Sequence, residues 1–167
     1  MQSETFHRRT LFWAIMGASV VGARGWAAAT GWTALQWIVV IFMAFDLAGG
    51  VHSSTLPATA KLLHATFHPA RALIFVMLHL HPFVVAATFS GFGWTAAAAL
   101  WIAAVAGTVI VMRADRRHRQ AFALCYCALM TMTILPLVSD RMLGWIAPLY
   151  LLKLVAAHAA NEASDEH

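Results

Sequence analysis

The residues best suited to chemistry lie in one stretch, Asp46 to Pro82, which reads DLAGGVHSSTLPATAKLLHATFHPARALIFVMLHLHP. It carries five of the chain's nine histidines and a carboxylate inside an otherwise apolar run, so acid–base or metal chemistry would concentrate there. An acid at the centre of a membrane helix costs about 2.5–3.5 kcal/mol, less near the interface, which makes Asp46 a residue that must face protein or a wet cavity. The Gly49-Gly50 pair is expected to end its helix one turn later. The plainer alternative for Asp46 is a helix-end carboxylate bonded to an arginine or to the backbone.

His79 and His81 lie two apart, and on a regular helix such side chains diverge by about 200°. They can share a site only if the helix is distorted, and Pro82 supplies a reason by removing one backbone bond and kinking the chain. Lys153, in the last apolar segment, falls at a depth comparable to Asp46 and can pair with it, unless it snorkels to the interface. Asp46, His79, His81 and Lys153 are therefore the catalytic candidates, with His52 and Arg71 as substrate-binding candidates. His64 and His68 have the i,i+4 spacing of helical metal ligands. With Asp46 or His79 as partners they could hold a divalent metal; interfacial histidines are the alternative, and no particular cofactor is implied.

The elements that must position these groups are membrane helices. Of 167 residues 61% are hydrophobic and only 11% charged, well under the roughly 25% charged residues usual for soluble domains. The net charge of +4 falls at the ends of apolar segments, where it orients a membrane protein, so nucleic-acid binding is excluded. A span needs about 20 apolar residues, and that template finds six, at roughly 10–28, 32–50, 69–89, 92–112, 121–139 and 143–159. A short amphipathic helix over 57–67, begun by Pro57, is expected to lie in the inner interface. The fold class is thus an all-α polytopic bundle, residues 1–167 forming a single transmembrane domain.

Positive residues gather at His7-Arg8-Arg9, at Lys61 and Arg71, and in the loop Arg113 to Arg119. They place both termini in the cytoplasm, in an inner (plasma) membrane protein. Arg8-Arg9 before an apolar run imitates an export signal, but is read here as the start of a retained first span. Ala99, Ala103 and Gly107, and likewise Ala18 and Gly22, have the spacing that lets helices approach closely in lipid. Cys125 and Cys127 point to opposite sides of a helix and should remain free thiols.

No HExxH, CxxC or P-loop motif occurs. The polar inventory converges on the inner leaflet, which fits a membrane-embedded enzyme acting on a lipid or isoprenoid-like substrate by metal-assisted or acid–base chemistry. A small proton-coupled transporter, as a homo-oligomer, and a non-catalytic accessory subunit are the alternatives. Membrane lipid is the expected partner.

Overall fold

The computed structural model describes residues 2–54 and 69–156. The expected interfacial helix at 57–67, with His64 and His68, lies outside the described residues. The described chain is helical, and its one strand-like feature is an isolated bridge between Phe92 and Val138. Among the described residues seven α-helices follow one another: α1 (Gln2–Ala27), α2 (Ala34–Ser54), α3 (Pro69–Met77), α4 (His81–Thr88), α5 (Trp94–Arg113), α6 (Arg119–Ile134) and α7 (Ile146–Leu151). Among the described residues three helical runs, Ala34–Ser53, Trp94–Arg113 and Arg119–Leu137, are long and apolar enough to cross a membrane.

α1 packs along α2, and small residues let them meet. A Cβ on Gly17 would stand 2.5 Å from Ala48 Cβ, and one on Gly49 3.0 Å from Ala14 Cβ. The double glycine does not end α2, which continues to Ser54. Its role is closeness: Gly49 admits α1, and Gly50 admits the stem of Lys153, whose Cε would lie 2.5 Å from a Cβ there. Asp46 therefore sits two turns inside its helix rather than beside its end.

The expected third span is divided. α3 stops at Met77, and α4 begins at His81 after the non-helical Leu78–Leu80. Pro82 occupies the first turn of α4, where its missing N–H costs nothing. The expected last span is irregular too: α7 passes into a π-helical turn at Leu152–Ala156, which carries Lys153.

Between them α5 and α6 make the regular part of the bundle. Gly107 opens a place on α5 for the Tyr126 ring, whose Cζ would lie 3.0 Å from a Cβ there. The Tyr126 hydroxyl donates to Ala103 O at 2.8 Å. The small residues of α5 thus receive an aromatic ring rather than a bare helix backbone. Leu47, Phe92, Leu100, Ile146, Tyr150 and Leu154 fill the core. Large apolar side chains such as Ile38, Leu129 and Met132 instead face outward, as they do where the surroundings are apolar.

Candidate functional site

Four side chains expected at a site come together: Asp46 from α2, His79 and His81 from the break between α3 and α4, and Lys153 from the π-helical turn. Asp46 and Gly50 are one turn apart on the same face of α2. The Lys153 stem lies over Gly50, which carries Nζ to within 2.5 Å of Asp46 Oδ2. The Lys153 side chain is 10% exposed and that of Asp46 31%, so the ion pair is shielded on the lysine side and open on the carboxylate side.

His81 Nε2 approaches the same carboxylate oxygen at 3.7 Å. That is an ion-pair distance when His81 is protonated, and beyond a good hydrogen bond when it is neutral. The other ring nitrogen, Nδ1, is buried and has no hydrogen-bond partner. Asp46 Oδ2 thus has a cation held against it and a titratable ring just out of bonding reach. A small movement of either group changes which one the carboxylate binds.

The broken helix is built to hold His79 and His81 at this point. His79 Nδ1 lies 2.7 Å from Phe75 O, the carbonyl that the His79 backbone N–H would take in a continuous helix. That N–H turns instead to Val76 O at 3.1 Å. The side chain therefore competes with its own backbone for the acceptor, a local reason for the helix to stop. The bond requires the proton of neutral His79 on Nδ1. The His79 and His81 ring centroids are 5.3 Å apart, a meeting that the break permits and a straight helix would prevent.

A break in apolar surroundings leaves carbonyls that need donors. Here Trp101 Nε1 donates to Met77 O at 3.1 Å, and the Tyr150 hydroxyl donates to His79 O. Leu80 O accepts from Phe83 N at 3.0 Å. Tyr150 stands three residues before Lys153 on the neighbouring turn, so one helical segment both pins the break and delivers the lysine. Sequence reasoning missed both Tyr150 and Trp101. The available signal was a phenol within an apolar segment, i−3 from the lysine, where a hydroxyl needs a partner.

The remaining candidates stand elsewhere. The His52 ring is 6.2 Å from Trp13 of α1, on the side of α2 that meets α1. Arg71 belongs to α3, and its side chain is not among those described. Among the described residues no three His, Cys, Asp or Glu side chains form a group that could hold a metal ion. The Asp46 oxygen that would serve as a ligand instead binds the Lys153 ammonium. Cys127 is buried and Cys125 exposed, both as free thiols.

Comparison with known proteins returns no match: no family model, no curated protein and no solved structure resembles the chain closely enough to inform its function.

Proposed function

We propose that the chain is a single-domain, multi-pass membrane protein whose Asp46–Lys153–His81 centre exchanges a proton, as the coupling site of a small proton-coupled transporter. The observation that carries this reading is the sharing of Asp46 Oδ2 between Lys153 at 2.5 Å and His81 at 3.7 Å. Submerged Asp, His and Lys groups are costly, and membrane proteins use them for proton relays. Discontinuous helices with their ends at the site recur in carriers, where unwound backbone lines the path. A proton taken by Asp46 releases Lys153, and a proton taken by His81 draws Asp46 away from Lys153. Either event alters the contact between α2 and the last span.

The membrane reading extends the three long apolar helices. α1, the α3–α4 pair, and α7 with its π-helical turn supply three further crossings, giving six spans with both termini cytoplasmic. The protein is proposed to work as a homo-oligomer.

A second reading keeps the same residues as an acid–base pair in an enzyme acting on a lipid or isoprenoid-like substrate. The 3.7 Å approach of His81 to a half-open carboxylate favours it.

Potential-driven proton uptake into vesicles containing the purified protein separates the two. The transporter reading predicts uptake above that of empty vesicles, reduced to background by Asp46→Asn and by His81→Ala while both variants stay folded. Wild-type uptake equal to that of empty vesicles would overturn it and leave the enzyme reading.

A further inference from the structure

An apolar groove runs between α1, α2 and α7, on the opposite side of α2 from the ion pair. Its volume is about 280 Å³, and Trp13, Met16, Val20, Arg24, Ala48 and Leu149 are among the residues that line it. Trp13, Met16, Val20 and Arg24 follow one another at three- and four-residue spacing, so they form one face of α1. Every side chain named is apolar except Arg24 at one end. No acid among the described residues pairs with that guanidinium.

The length of the groove is informative. From Trp13 to Arg24 the helix rises roughly 16 Å at 1.5 Å per residue, close to half of a hydrocarbon core about 30 Å thick. Trp26, 82% exposed just beyond Arg24, has the character of an interfacial residue and puts the guanidinium at headgroup level. One acyl chain of one leaflet therefore fits the slot with its headgroup beside Arg24. The cation selects a negative head, and its own position near the end of an apolar helix is then compensated.

We infer that this groove is a binding site for an anionic phospholipid of the bilayer, one acyl chain lying along α1 and the phosphate paired with Arg24. The site rests on the membrane reading above and is independent of the proton reading, because none of its residues belongs to the Asp46 centre. Its contact with Ala48, two residues beyond Asp46 on α2, makes the lipid a wedge that sets the distance between α1 and α7.

The test is native mass spectrometry of the protein in detergent, supplied with phosphatidylglycerol and phosphatidylcholine of equal chain length. The expected result is one retained lipid per chain, with phosphatidylglycerol preferred by about fivefold, the factor one interfacial cation supplies. Arg24→Gln should remove the preference but keep the adduct, whereas Val20→Trp, which fills the slot, should lose both lipids. Equal retention of the two lipids by the wild type, adducts indifferent to Val20→Trp, or preferential retention of a free fatty acid would each overturn the assignment. Proton uptake by the same variants is a separate readout, so failure of the lipid site and failure of the proton site cannot be confused.

Discussion

At the scale of single residues the centre is an ion pair with a third group waiting. Removing Lys153 leaves the partly exposed Asp46 carboxylate without its cation. Lys153→Met should therefore destabilise the protein by about 2–3 kcal/mol, below the roughly 3–5 kcal/mol of a fully buried broken pair because Asp46 is partly open. The double variant Asp46→Asn/Lys153→Met should recover most of that loss, and unfolding in mixed detergent measures both. Losses that simply add would show that the pair contributes nothing as a pair. Gly50→Val should weaken the same pair through packing alone, since its side chain would occupy the place of the Lys153 stem. The pairing of Asp46 with Lys153 was legible in the sequence because charges in apolar segments need partners and only a few candidates exist. The role of Gly50 was not: a double glycine near a polar run reads as a helix stop, and only the tertiary arrangement shows that α1 and the lysine stem require the missing side chains.

At the scale of elements the division of the third span decides where the histidines stand. Proline predicts a distortion near His81, but not a stop four residues earlier in the sequence. The stop depends on His79 capturing Phe75 O through its side chain, and on two distant helices donating hydrogen bonds to the freed carbonyls. Such contacts have no periodicity and leave no pattern to read. Tyr150→Phe should leave His79 O without its donor, costing about 1–3 kcal/mol. Amide exchange should accelerate at Leu78–Leu80 while the α5–α6 contact stays protected. Unchanged exchange at the break in Tyr150→Phe would show that the tyrosine does not hold it. The same variant should weaken proton uptake less than Asp46→Asn, because it loosens the frame without removing the carboxylate.

At the scale of the whole molecule the all-helical class and the positions of the long helices were legible from hydropathy. Apolar runs of bilayer length are a signal summed over many residues, so single exceptions do not erase it. Helix ends and interruptions rest on individual contacts and were not legible. The proposed six crossings would place Thr30 and Asp115 on opposite sides of the membrane, a placement that single cysteines at these positions, in a Cys125→Ser/Cys127→Ser background, can report. Labelling of both from the same side would contradict the proposed topology. The proton site itself is tested most directly by infrared difference spectroscopy of the reconstituted protein after a pH jump, with aspartate isotopically labelled. The predicted result is a carboxyl C=O band that appears on acidification, is absent in Asp46→Asn and shifts in frequency in Lys153→Met. An acidification spectrum identical in wild type and Asp46→Asn would contradict proton exchange at Asp46 and leave the pair as a structural tie between α2 and the last span.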